Sequence, residues 1–184
     1  MINLARRSPN SFQFALGNWR STTPCVPLSD EVCNFTRKLS GAEPVLLPYT
    51  DCGTGYISGA CHLNVAHHVK HHGGERVHGW MIWTNAAFIE GEFHSVWRSP
   101  SGELIDITPR VDGEEFILFV PDPKTKVQPR GAGAVLPSNR TTIHGAPYTM
   151  GGIPVPKFAY REPDARTHAY MVKLRMKHFT GGDQ

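Results

Sequence analysis

Cys61, His94 and Asp106 are the three residues whose types and order could do acyl chemistry. A thiolate attacks a carbonyl carbon, an imidazole moves the proton, and a carboxylate fixes the imidazole's tautomer and orientation. His94 follows Cys61 by 33 positions and Asp106 follows His94 by 12. Four cysteines are present, Cys25, Cys33, Cys52 and Cys61, and none forms a C-x-x-C pair. Zinc-ribbon and thioredoxin readings are therefore weak, and free thiols are expected.

Each of the three needs an element to hold it. Cys61 is followed by the clearest helical pattern in the chain, with Cys61, Val65 and Val69 recurring every four residues until Gly73-Gly74. Ser58 reads as its N-cap, which puts Cys61 at the third helical position, in a first turn whose unpaired N–H groups and positive dipole end favour a thiolate. His94 and Asp106 lie in two β-rich segments, Phe88 to Arg98 and Glu103 to Thr108, joined by Ser99-Pro100-Ser101-Gly102. Pro100 suits the second position of a type I turn and Gly102 the left-handed residue after it. That turn pairs Ser99 with Glu103, so partner numbers sum to 202. Val96 then faces Asp106, with His94 diagonally beside Asp106 on one surface. Phe93, Trp97, Ile105 and Ile107 fall on the other surface, which reads as core, and a slip of one residue would separate His94 from Asp106.

A nucleophile opening a helix, a histidine on a following strand and an aspartate on the next resembles the transglutaminase-like branch of the papain-like cysteine superfamily. Ile105-Asp106-Ile107-Thr108-Pro109 is similar to that family's aspartate segment. The stretch from Cys61 to Pro109 also resembles small bacterial and phage proteins carrying the same Cys…His…Asp segment. The resemblance covers Tyr49 to Pro109 and departs from the family pattern in two ways. His62 stands where a tryptophan usually follows the cysteine, and Trp97 lies three residues after His94 rather than two. No glutamine shortly precedes Cys61 to complete an oxyanion hole, so the Cys61 backbone N–H, with Tyr56, is the expected substitute. The resemblance implies an α+β papain-like fold, with the cysteine's helix on an antiparallel sheet. It implies cysteine-dependent hydrolysis or transfer on an amide, ester or thioester substrate, a protein or peptide among the candidates, without a cofactor.

Two other classes stand beside it. His67 with His71 and His68 with His72 are i,i+4 pairs able to share a metal. They lack the Glu of H-E-x-x-H and an evident third ligand, so a solvated helix face is expected. A catalytically silent interaction domain of the same fold is the other. Trp80 and Trp83 are three apart and face opposite ways on a strand, one toward the core and one toward a cleft, where Trp80 is a further lining residue.

The rest of the 184 residues sets bounds. Hydrophobic residues make up 40% and charged residues 19%, with 18 glycines and 15 prolines irregularly spaced. That excludes a charged disordered chain, collagen and a coiled coil. The longest apolar runs fall far short of the ~20 residues of a membrane helix, and the charged MINLARRSPN start lacks an apolar signal region. A soluble, cytoplasmic domain is expected, spanning residues 1–184, with its core at about 50–120. The net charge of +3 carries no nucleic-acid footprint. A further helix is expected at Ser29 to Leu39 and strands at Val77 to Trp83 and Phe116 to Val120. Residues 121–167, with eight prolines, read as loop. The alternation of Val172, Leu174 and Met176 with Lys173, Arg175 and Lys177 reads as a closing strand within 168–178.

Overall fold

The structure is a computed structural model, and residues 21–177 are described. It is an α+β arrangement of three helices and a mostly antiparallel eight-stranded sheet. Helix α1 (Asp30–Leu39) begins as its sequence dictates: the Ser29 hydroxyl accepts from the Val32 N–H, acids fill the first turn and Arg37 and Lys38 the last. Its Val32 and Phe35 are buried, each such side chain contributing about 1.5–3 kcal/mol by leaving water.

Two long strands form the middle of the sheet, β2 (Glu75–Thr84) and β3 (Phe88–Arg98), paired along their whole length with Gly79 opposite His94. Strands β1 (Val45–Pro48) and β5 (Phe116–Pro121) extend it beyond β2. On the far flank of β3, β7 (Gly133–Thr142) pairs with residues 88–92 and β4 (Leu104–Ile105) with 97–98, so residues 93–96 have no strand partner there. Beyond β7 lies β10 (Phe158–Arg161), while β6 (Gln128–Arg130) pairs with β7 as well, and β8 (Thr149–Met150) and β9 (Ile153–Pro154) make a separate ribbon. Helices α1, α2 (Cys61–His72) and α3 (Ala165–Lys173) contribute to one core with Trp80, Ile82, Phe93, Leu118 and Val120. A smaller cluster joins Leu47, Met81, Val96, Ile117 and Phe119. Gly79 is required there: a Cβ would stand 2.3 Å from the Val120 carbonyl oxygen and 2.5 Å from the Phe119 ring.

The hairpin carrying His94 follows the turn chemistry. Ser99 N–H donates to the Glu103 carbonyl, Gly102 has φ 94°, and Trp97–Ile105 and Arg98–Leu104 keep the register that sums to 202. The expected strand to Thr108 stops at Ile105, however. Asp106 leaves β3 and bonds a different partner, donating its N–H to Pro48 and accepting from the Thr50 N–H.

Three further expectations are corrected. Ser58 does not cap α2: Gly59 takes φ 75°, which no helix continues through, so the helix starts at Cys61 with Ala60 as an uncapped boundary. Residues 121–167 contain β6 to β10 rather than loop, because Pro129, Pro137 and Pro154 sit in strands at the sheet's outer part or in the ribbon, where a missing N–H is tolerated. The closing strand is instead the helix α3. Asp164 caps it by accepting from the Thr167 N–H at 2.7 Å, and Thr167, Tyr170 and Met171 form its buried face at helical spacing. Among the described residues no helix is long and apolar enough to cross a membrane.

Candidate active site

Cys61 is the first residue of α2. The Leu63 and Asn64 N–H groups donate to the Ala60 carbonyl at 3.0 and 2.9 Å, leaving the Cys61 and His62 amides without an intrahelical acceptor. The first turn of the helix meets β3 where that strand lacks its outer partner. There His62 reaches Ser95 and lies 5.4 Å, ring to ring, from Phe93. The turn ahead of Cys61 is tied down by Arg161 of β10, whose Nη1 donates to the Gly59 carbonyl at 3.0 Å.

His94 and Asp106 are both buried, at 1% and 0% exposure, and His94 Nε2 lies 3.1 Å from Asp106 Oδ1. The same oxygen accepts the Thr108 N–H at 3.1 Å, and the Arg110 Nε is 3.4 Å from Oδ2. Burial opposes ionisation of Asp106, but the Arg110 and His94 charges and these hydrogen bonds hold its carboxyl below the usual range.

The Cys61 thiol stands against two imidazoles, His62 and His94. Burial opposes the thiolate, yet the charges and hydrogen bonds of both histidines overcome it and hold the thiol well below its ordinary value. The same pairing acts on His94: burial disfavours its cation, while the Cys61 and Asp106 charges raise it to about 10. Both shifts favour charge separation between thiol and imidazole, with the Asp106 carboxylate behind it.

The remaining nitrogens account for each other. His94 Nε2 is taken by Asp106 and His62 Nδ1 by Ser95 Oγ at 2.6 Å. His94 Nδ1 and His62 Nε2 are buried without a nitrogen or oxygen partner, and they are the two ring atoms left to the Cys61 thiol. Ser95 Oγ in turn contacts His78 Nδ1 at 2.9 Å, completing a buried His62–Ser95–His78 chain.

Other named residues lie elsewhere. The Tyr56 hydroxyl contacts His68 Nδ1 at 2.9 Å and His67 Nδ1 at 3.5 Å, so it serves the far turns of α2 rather than an oxyanion at Cys61. Trp80 is 4% exposed, donates from Nε1 to Asp122 Oδ2 at 2.9 Å and meets Phe93 edge-on, so it is core and not cleft lining. The His67/His71 and His68/His72 rings pair at centroid distances of 4.4 and 4.2 Å. Among the described residues no group of three or more His, Cys, Asp or Glu side chains is placed to hold a metal ion.

Sequence reasoning passed over His62, Ser95, His78, Arg110 and Arg161. Arg110 was within reach of it, lying four residues beyond Asp106. In the sequence His62 stands out only as the residue in place of tryptophan. Ser95 and His78 meet through the β2–β3 hairpin, whose turn is held by the Asn85 side chain, and Arg161 arrives through the β7–β10 pairing, which no local turn announces. No family model, curated protein or solved structure matches the chain.

Proposed function

We propose that the protein is a cysteine-dependent acyl hydrolase or acyltransferase on a papain-like, transglutaminase-like core. Cys61 is the nucleophile, His94 the general acid and base, and Asp106 the orienting carboxylate. The observation that carries this reading is the buried 3.1 Å His94–Asp106 contact with the Cys61 thiol against the same imidazole at a helix start. Structural ion pairs also shift pKa values, but a thiol lowered against its own burial, beside a carboxylate-backed imidazole, is what a nucleophile needs.

The steps balance with these residues alone. The thiolate forms an S–C bond to the carbonyl carbon of an amide, ester or thioester, and the carbonyl π pair moves to oxygen. Collapse breaks the bond to the leaving group, which takes the proton from the His94 imidazolium. Neutral His94 then removes a proton from water or an acceptor amine, the new nucleophile attacks the thioester, and the thiolate leaves. Asp106 keeps His94 in the tautomer that directs Nδ1 at the sulfur throughout.

The test is trapping of the intermediate. Incubation with p-nitrophenyl acetate should add one acetyl group to Cys61, seen by peptide mass spectrometry and discharged by hydroxylamine. Acetylation of another cysteine with Cys61 untouched would remove the nucleophile assignment.

A further inference from the structure

The thiol faces two histidines, and the mechanism above employs one. His62 is 3% exposed, its Nδ1 is held by Ser95, and its Nε2 is a buried nitrogen facing the sulfur. An N–H that reaches Sγ also reaches the oxygen of an acyl group bonded to that sulfur. We propose that His62 is a second catalytic residue of this site, its Nε2–H donating to the oxyanion, with Ser95 and His78 as positioning residues that fix the required tautomer. The proposal rests on the nucleophile reading for Cys61.

Hydrogen bookkeeping along the chain determines the tautomer. Ser95 has one hydroxyl proton and two imidazole Nδ1 neighbours, at 2.6 and 2.9 Å. It can donate to one and must accept from the other. If it accepted from a neutral His62, the bare Nε2 lone pair of His62 would face the thiolate and repel it. With the opposite polarity, His78 Nδ1–H donates to Ser95, Ser95 donates to His62 Nδ1, and His62 carries its proton on Nε2, toward the sulfur. Burial first, and then nearby positive charge such as Arg76 and Lys126, pushes His78 down to about 2, so it stays neutral and has a single N–H to give. The packing is consistent with a fixed ring: His62 lies against Phe93 and His78, and His78 stacks on Phe93 at 5.5 Å. A neutral imidazole is a suitable oxyanion donor, since it supplies a strong N–H without releasing a proton. It fills the place for which no glutamine stands shortly before Cys61.

Two measurements test it. In protein labelled with ¹⁵N-histidine, long-range ¹H–¹⁵N spectra at neutral pH should show His62 as the neutral Nε2–H tautomer and His78 as Nδ1–H. His62 found as Nδ1–H, or as the imidazolium, would overturn the proposal in the wild-type fold, whatever the variants do. The second measurement separates oxyanion binding from thiolate formation. His62→Phe keeps a ring on Phe93 but removes the donor. It should slow acetylation of Cys61 by p-nitrophenyl acetate on the order of 10²–10³-fold. Iodoacetamide alkylation of Cys61, which develops no oxyanion, should change by less than about tenfold. His62→Gln, which retains an N–H, should recover part of the acetylation rate, and Ser95→Ala should lose rate while its His62 spectrum becomes a mixture of tautomers. His62→Phe acetylating like wild type would defeat the proposal and leave the nucleophile in place. Wild-type Cys61 that takes up no acetyl group would remove the nucleophile, and this proposal with it.

Discussion

Helix α2 carries histidines at both ends, and the two ends differ in chemistry. At its start His62 is buried, engaged by Ser95 and set against a thiol, while His94 reaches the same sulfur from β3. At its far end His71 and His72 are exposed and pair as rings with His67 and His68, which in turn meet Tyr56 and Trp97. Residue type is shared, so the difference comes from partners. A histidine becomes a working acid or base when one nitrogen is fixed by an oxygen and the other is aimed at a reacting atom. For His67 and His68 burial acts first and neighbouring cations second, and both push the imidazole toward the neutral form.

The largest expected effect separates the two ends outright. Cys61→Ser should remove acyl turnover by on the order of 10⁶, as loss of a triad nucleophile does. Replacing His71 and His72 with Gln should leave turnover within about twofold, because neither approaches the sulfur. Steady-state hydrolysis of p-nitrophenyl acetate checks both. Equal losses in the two variants would place the chemistry at the wrong end of the helix.

Asp106→Asn comes next. It preserves volume but allows the wrong imidazole tautomer, for an expected loss of on the order of 10³–10⁴ in rate. It also changes the pH profile in a signed way. Acid catalysis by His94 should fail on the alkaline side near pH 10. Asp106 is among the charges that raise His94, so in Asp106→Asn that limb should move to lower pH. The acid limb reports formation of the Cys61 thiolate and should lie well below pH 9. A pH–rate profile of kcat/KM for the two proteins measures both limbs, and an unmoved alkaline limb would detach Asp106 from His94.

A smaller effect concerns what steadies the site from a distance. The Tyr170 hydroxyl of α3 donates to Asn64 Oδ1 at 2.6 Å, and Asn64 Nδ2 donates to the Ile57 carbonyl and to Thr108 Oγ1. Thr108 in turn donates its N–H to Asp106. Tyr170→Phe leaves a buried amide oxygen without its donor, which costs about 1–3 kcal/mol. Urea unfolding should register that loss while the alkaline limb set by His94 stays in place.

What the sequence disclosed divides along the same line, local against distant. The His94–Asp106 pairing was legible because Pro100 and Gly102 fix a turn, and a turn fixes the register of strands that follow it directly. The start of α2 lies two residues later than Ser58, a good cap by type, implies. Only the left-handed backbone of Gly59 disqualifies it, and composition does not show backbone angles. In the C-terminal segment, the alternation of Val172, Leu174 and Met176 straddles the end of α3. The informative residues lay earlier, in the Asp164 cap and the buried face of Thr167, Tyr170 and Met171. The His62–Ser95–His78 chain joins two levels: His78 pairs with Ser95 in a hairpin whose turn is held by Asn85, accepting from the Ala87 and Phe88 N–H groups, but His62 comes to Ser95 from α2, which no turn announces.

The smallest expected effect belongs to the far end of α2 and is one of stability, not rate. His68 is 4% exposed, and its pKa is held at about 4, by burial first and then by the His72 and His67 charges. An imidazole whose folded value lies below its unfolded value, ordinarily near 6.5, binds fewer protons when folded. Stability therefore rises with pH across that interval and is lost as pH falls from about 6.5 toward 4. His68→Gln removes this one proton linkage, so its Tm should decline less steeply than that of wild type over the same pH range. His67 and His78, shifted in the same direction, still contribute to the slope. His72→Gln should act more weakly in the same sense, because it takes away a neighbouring cation and lets His68 rise toward its ordinary value. Thermal unfolding at pH 7, 5.5 and 4.5 measures all three proteins. Parallel curves for wild type and His68→Gln would mean that His68 is as readily protonated in the fold as out of it. The contrast between the two ends of the helix would then lie in geometry and not in proton affinity.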